Sequence, residues 1–336
     1  MPFIQHGVTS LLGSLPNRPL SRFWVVTCYF NAMRYETRFK NYLTFAQSLR
    51  DQNVNLLTVE LAESDSEAHL NHSLSTKYVC IHAKDVLWAK ERLLNIALDH
   101  LPPECRQVGW CDCDIIFGKP TWAHECSRML CRHKVIQPFT KAIFMGPGEM
   151  PNTHSLRYTP LESFASLYNR MGRRSLINSP NVLHSHPGYV WAARRDVLER
   201  MGRFYDKCIL GHGDMVMALA FCHDRETHGP IPLDWDRHWD PKWSDQLKQD
   251  VRNWQQSASE VVAGDVACTL GTIYHLYHGT PKRRNCDKRG MALRDFDPDE
   301  HIQMNAAGVW TWTDSARAIG LDKAAQQYFR QRREDD

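Results

Sequence analysis

No stretch of this 336-residue sequence approaches the roughly 20 apolar residues that a membrane-spanning helix needs. Its first twenty residues also lack the basic segment followed by an apolar one that marks a secretory signal. A surplus of charge is missing too: 41 Lys and Arg against 38 Asp and Glu leave +3, so there is no global electrostatic case for a nucleic-acid or membrane partner. Internal repeats and low-complexity tracts are absent. What is left is an ordinary globular composition, 43% hydrophobic and 24% charged, long enough for one large or two modest domains. A soluble, cytoplasmic protein is expected.

The eleven cysteines fit that compartment, being odd in number, scattered and mostly inside apolar runs, as reduced core thiols are. Cys111, Cys113, Cys126, Cys131 and His133 lie close in sequence, but one residue between the first two is poor spacing for zinc.

Residues 1–21 carry Pro2, Gly7, Gly13, Pro16 and Pro19 without periodicity and read as a lead-in segment. From Phe23 onward, apolar β-branched runs alternate with helical patterns. Strands are expected at 23–28, 55–60, 78–81 and 107–111, and helices at 34–50, 85–100 and 122–131. This alternation predicts an α/β fold with a mixed, mostly parallel sheet flanked by helices. In the 85–100 helix Asp85 is placed to cap the start, Leu87, Leu94, Ala97, Leu98 and Leu101 form an apolar stripe, and Pro102-Pro103 stops it. Residues 145–188, rich in Gly and Pro, predict a long loop excursion of functional character. A strand at 189–193, helices at 195–201 and 214–223, a tryptophan-rich segment, a strand ending at Tyr277 and a helix at about 315–333 complete the pattern.

Four places could carry chemistry. Asp112-Cys113-Asp114 is wedged between two apolar runs, where paired carboxylates are costly unless a cation neutralises them; an ordinary turn after a strand accounts for them equally well. Lys90, Arg92 and Asn95, with Trp88 ahead of them, either meet a ligand or belong to a solvated helix face, and Lys90 and Arg92 do not strictly share one face. Gly211-His212-Gly213-Asp214 lets backbone approach a ligand and puts Asp214 at a helix start, as cap or as general base. His275 and His278, leaving a strand three residues apart, either converge on a metal or are partly buried histidines, and Lys282, Arg283 and Arg284 follow as candidate phosphate partners or a solvated loop. Trp235 and Trp239, among carboxylates and a histidine, either pack or face a sugar ring.

In order and separation these stations resemble the GT-A fold glycosyltransferases, most closely the β1,4-galactosyltransferase-like inverting group. Trp88-Ala-Lys-Glu-Arg-Leu-Leu-Asn95 is similar to that group's aromatic-x-Arg-x-Lys-Leu-Leu-Asn helix, which contacts the nucleotide diphosphate. The resemblance implies a D-x-D strand at 108–117, with Asp114 on the metal and Asp112 toward the ribose or metal. It carries the catalytic base onto Asp214 within a loop where Leu210 and Gly213 depart from the family's Trp and Glu. His275-x-x-His278 resembles the pair that completes the metal site. The similarity covers about residues 23–290.

The expectation is a lead-in over 1–21, a GT-A-like domain over 22–290 and a C-terminal helical extension over 291–336. A divalent cation, Mn2+ ahead of Mg2+, would be held by Asp112, Asp114, His275 and His278 and bridge the diphosphate of a nucleotide sugar such as a UDP-sugar. Thr27, Glu60, Trp88, Lys90, Arg92, Asn95, Asp112, Lys282 and Arg284 would meet the donor, and Asp214 would deprotonate a carbohydrate or other hydroxyl acceptor, with inversion. His184, His186, His212, Trp235 and Trp239 would form the acceptor side. The rivals are a metal-dependent nucleotidyltransferase and a non-catalytic carbohydrate-binding protein on the same frame. A narrower alternative makes a hydroxymethylated base in DNA the acceptor, supported by the basic runs 282–289 and 330–333.

Overall fold

All eight residues of Phe23–Phe30 (β1) are buried, as an unbroken apolar run must be when both faces of its sheet are covered. The computed structural model describes residues 20–64, 68, 70, 72–151, 159–171, 185–223, 242–280 and 289–336. The helix Glu36–Asp51 (α1) follows β1, with Tyr42, Phe45, Ala46 and Leu49 buried at helical spacing. The chain then returns parallel to β1 as Asn55–Ala62 (β2), and Lys77–His82 (β3) pairs parallel with β2. The helix Lys90–His100 (α2) leads to Gln107–Cys111 (β4), which pairs parallel with β1 on its other side.

Two sheets result. The first has seven strands in the order β11-β6-β10-β4-β1-β2-β3, where β6 is Val135–Gln137, β10 is Val190–Arg194 and β11 is Val266–Cys268. Among these, β10 runs antiparallel to both its neighbours. The second sheet, in the order β5-β12-β7-β8-β9, is built from Ile115–Phe117, Thr272–His275, Lys141–Phe144, Leu161–Ser163 and Ser185–His186. Apolar clusters cover both faces of the first sheet; one centres on α2, the other on α1 and the helix Trp122–Met129 (α3). No helix among the described residues is long and apolar enough to cross a membrane.

Three expectations need correction. The 145–188 excursion is not loop throughout: it contains β8, the helix Phe164–Met171 (α4) and β9, because Phe164, Ala165, Leu167 and Tyr168 find apolar cover. The helix expected from Asp85 begins at Lys90, and its N-cap is Ala89 with no side-chain cap. Asp85 is spent elsewhere, accepting from Thr311 Oγ1, from Trp312 N at 2.9 Å and from Arg317 at 2.8 Å. The stripe itself is as expected, since Leu87, Leu94, Ala97, Leu98 and Leu101 are all buried. Each fully buried leucine contributes about 2 kcal/mol, which offsets the cost of also burying Lys90 and Glu91 on α2.

After the helices Arg195–Arg200 (α5), Gly213–Phe221 (α6) and Asp245–Val262 (α7), residues 291–336 are not helical alone. They form Pro298–His301 (α8), a hairpin of Ile302–Met304 (β13) with Trp310–Trp312 (β14), Asp314–Ala318 (α9) and Leu321–Gln331 (α10). Phe296, Trp312, Leu321, Tyr328 and Phe329 join the same apolar cluster as α2.

Asp85→Ala removes the acceptor shared by Thr311, Trp312 and Arg317, and is expected to lower the unfolding free energy by about 1–3 kcal/mol at neutral pH, measured by urea denaturation. Burial raises the Asp85 carboxyl, but hydrogen bonds from Thr311, Arg317 and Trp312 outweigh it and hold it below its ordinary 3.8. Its stabilisation is therefore present above that value and is lost as the pH falls through the lowered folded value. The gap between wild type and variant should close in strong acid; a gap that persists there assigns the loss to packing instead of to the carboxylate.

Candidate active site

β4 ends at Cys111 in the first sheet and β5 begins at Ile115 in the second, so Asp112-Cys113-Asp114 is the link where the chain changes sheets. Two backbone hydrogen bonds pin it: Asp112 N donates to Tyr189 O at 2.7 Å and Leu276 N donates to Asp114 O at 2.8 Å. The second of these prolongs the β12–β5 ladder, in which His275 is opposite Ile115. Register therefore delivers His275 to Asp114, and the turn after β12 brings His278 beside it.

Asp114 Oδ2 lies 3.7 Å from His275 Nε2 and 3.3 Å from His278 Nε2, and the two imidazole nitrogens are 3.0 Å apart. One ligand-type atom from each of the three residues lies within 4.8 Å of the others; among the described residues this is the group of three or more that could hold a metal ion. Asp114 Oδ1 is buried and, among the described residues, has no hydrogen-bond partner. A carboxylate with one oxygen unpartnered and the other facing two converging imidazole nitrogens fits a divalent cation with one oxygen and two nitrogen donors. Burial opposes ionisation of Asp114, yet His275, His278 and Arg38 outweigh it and hold the carboxyl below its usual range.

Asp112, also expected as a ligand, turns instead to Lys90, whose Nζ lies 2.5 Å from Asp112 Oδ1 and 2.8 Å from Asp214 Oδ1. Burial alone would pull the Lys90 ammonium down, but Asp112, Asp214 and Glu91 outweigh it and hold it well above its ordinary value. Burial pushes the Asp112 carboxyl up, with Lys90 pulling the other way and the Asp214 and Asp114 charges reinforcing the rise.

Asp214 is not a cap. It sits in the first turn of α6, whose N-cap is His212 in the left-handed region at φ 80° with no side-chain cap, so the Asp214 carboxylate is directed to Lys90. Glu91 is buried beside it and pushed upward, first by burial and further by Asp214, with Lys90 opposing. Its carboxyl fills the space over Gly213, where an added Cβ would collide with Glu91 Oε1.

Both clusters line one cavity of about 310 Å³. Trp88 lies on its wall, stacked on Phe329, with the guanidinium groups of Arg289 and Arg332 at 5.9 and 5.5 Å from its ring. His186 lies flat on Tyr189, ring centroids 3.6 Å apart, on another wall. His212 also lines the cavity, and burial, then Arg289, hold its imidazole well below its ordinary value.

Other expected site residues point elsewhere. Thr27 Oγ1 donates to Cys111 O at 2.8 Å and staples β1 to β4. Glu60 accepts from Tyr78 OH at 2.6 Å and Leu70 N at 3.2 Å. Arg92 and Asn95 lie away from the cavity because side chains two and five residues beyond Lys90 leave its helix face. Arg92 reaches Gly308 O and Asp206, and Asn95 holds the backbone of Phe204. His184, Trp235, Trp239, Lys282 and Arg284 lie outside the described residues. Arg38, Glu91 and Glu334 reach the site without having been singled out, and Arg332 reaches it although its run, 330–333, was weighed only for a DNA acceptor. A signal existed for Arg38, which falls in line with the stripe Tyr42, Phe45 and Leu49; for Arg332 and Glu334, where a basic block meets an acidic one, nothing pointed inward.

No protein-family model and no curated protein matches the chain. Among solved structures it is similar to glucosyl-3-phosphoglycerate synthase from Mycobacterium tuberculosis in complex with Mn2+, UDP and glucosyl-3-phosphoglycerate, at 12% identity and TM-score 0.44 over 87% of this chain and 86% of that one. It is similar to S. aureus TarS in complex with UDP-GlcNAc at 12% identity and TM-score 0.38, over 59% and 52% of the two chains. For Drosophila β1,4-galactosyltransferase 7, a mutant complexed with manganese, UDP-Gal and xylobiose, the identity is 11% and the TM-score 0.31, over 59% and 60%. Similarity at this level establishes neither a shared family nor a shared activity.

The contact of Glu91 with Gly213 can be read as a coupling. Gly213→Ala should destabilise the wild type by about 1–3 kcal/mol, since the new methyl needs the space that the Glu91 carboxyl fills. In a Glu91→Ala background the same change should be neutral or stabilising. Equal effects in both backgrounds, measured by urea denaturation, would show that the two positions do not compete for space.

Proposed function

We propose that this protein is a metal-dependent glycosyltransferase of GT-A type, moving a sugar from a nucleoside-diphosphate donor to an acceptor hydroxyl with inversion at the anomeric carbon. One observation carries this reading. A single cavity places a three-residue metal-ligand cluster, Asp114, His275 and His278, beside a separate carboxylate, Asp214, held by a buried ammonium. A diphosphate leaving group needs the first and an attacking hydroxyl needs the second.

When bound, the divalent cation supplies Lewis-acid neutralisation of the departing diphosphate. Two imidazole donors favour Mn2+ over Mg2+. Arg289 and Arg332, held over Trp88, add fixed positive charge for the same anionic group. Asp214 takes the acceptor proton as the acceptor oxygen forms its bond to the anomeric carbon and the bond from that carbon to the diphosphate breaks. Lys90, 2.8 Å from Asp214 Oδ1, holds that carboxylate in place before the proton arrives. The His186–Tyr189 stack offers a flat aromatic surface that suits an acceptor sugar. A DNA acceptor loses part of its support, since Arg289 and Arg332 turn toward this cavity and not to an outer basic surface.

Purified protein with Mn2+ should transfer or hydrolyse sugar from at least one member of a UDP- and GDP-sugar panel, and chelator should abolish turnover. Asp214→Asn should lower turnover by about 10²–10⁴-fold with donor affinity little changed. Chelator-insensitive turnover removes the metal. Pyrophosphate released from nucleoside triphosphate and sugar phosphate would make the protein a nucleotidyltransferase, and sugar binding indifferent to Mn2+ and nucleotide would make it a binding protein.

A further inference from the structure

The segment Arg332–Asp336 is built into the wall behind the candidate metal ligands. Glu334 is fully buried, with Arg38 Nε 2.5 Å from its Oε2 and Arg332 Nε 2.5 Å from its Oε1. Its Oε2 also lies 3.8 Å from His278 Nδ1, the nitrogen opposite the one that approaches Asp114. The segment comes this close because residue 279 is glycine: at φ 88°, an added Cβ would lie 3.2 Å from Glu334 Cα and 3.3 Å from Arg333 O.

Further contacts fasten the same segment. Arg333 N donates to Tyr35 OH, Tyr277 OH donates to Asp336 O at 2.6 Å, and Asp335 accepts from Glu36 N at 3.1 Å and Thr37 N at 2.8 Å. The last pair caps α1, whose own N-cap residue Tyr35 makes no side-chain cap.

We infer that Glu334 is a positioning residue for the metal ligand His278, and that docking of residues 332–336 and binding of the divalent cation stabilise each other. The physical basis is general. A carboxylate behind a ligating histidine favours the proton on the near nitrogen, leaves the lone pair on the far one and fixes the ring plane. Arg38 and Arg332 hold Glu334 in place, so the chain from α1 to the tip of α10 bears on one ligand. Coupling of this kind is reciprocal: whatever docking does for the metal, the metal does for docking. The inference rests on the metal site proposed above.

The test is Mn2+ titration of the full chain by calorimetry, with apo-protein folding checked by circular dichroism, beside hydrogen exchange of residues 332–336 with and without Mn2+. Glu334→Gln, nearly isosteric, should bind Mn2+ about 10–100-fold more weakly than wild type. Asp335→Ala, which loosens the docking of the same segment without touching His278, should lower the melting temperature and weaken Mn2+ binding, by less than Glu334→Gln does. Mn2+ should slow exchange across 332–336 in the wild type and not in His278→Ala. A folded Glu334→Gln protein with wild-type affinity overturns the inference and leaves the metal site standing. If that variant does not fold, the exchange arm decides, and exchange indifferent to Mn2+ in a wild type that binds the ion overturns it equally. A wild type that binds no Mn2+ removes the metal site and the inference together.

Discussion

One buried ammonium holds the candidate site in shape. Lys90 sits in the first turn of α2, where the positive end of the helix dipole makes a cation unwelcome, and it is almost fully enclosed. It is tolerable there because two carboxylates from different parts of the chain meet it: Asp112 from the link between the two sheets and Asp214 from the first turn of α6. Taking away one partner of such a group typically costs about 3–5 kcal/mol, because a charge is left stranded in the interior. The ammonium thus fixes the mutual positions of α2, the sheet-changing link and α6. These are the elements on which the proposed chemistry depends.

The sheets explain why polar groups collect at this edge and not elsewhere. Apolar clusters cover both faces of the seven-stranded sheet, so the carboxylates and imidazoles of the site collect where strands end. β4 ends between a parallel neighbour, β1, and an antiparallel one, β10, and the chain leaves at once for the second sheet. Open sheets bind ligands at such carboxyl-end crevices. Here the departure is short, three residues, so Asp112 and Asp114 face separate partners: Lys90 for the first and the two histidines for the second.

Much of this was legible from residue order. Continuous apolar runs located β1, β2 and β4, and the stripe on α2 appeared as read, because burial on both faces of a sheet or on one face of a helix leaves a periodic trace. The meeting of Asp114 with His275 and His278 followed from motif order, although register alone produces it. What failed was end chemistry. Asp85 looked like a cap and is held by Arg317; Asp214, expected as the base with capping as the alternative, is held by Lys90, and no local pattern could reveal either cation. Arg92 and Asn95 failed for a simpler reason: a helix turns about 100° per residue, so neighbours of Lys90 in sequence are not neighbours in space. Glu334 lay beyond reach because its partners, Arg38 and His278, are remote in the chain.

The cap on α1 comes from the far end of the sequence. Asp335 lies 298 positions from Thr37, and Tyr35 binds the backbone of Phe329 across a similar span. Closing so large a loop costs entropy that must be met before the contact returns anything, and topologies rich in such distant pairings assemble slowly. The α1 side of the cavity is therefore expected to acquire its final shape late in folding. Both sheets can pair while this rim of the cavity is still open, and the cavity closes only when two segments remote in sequence meet.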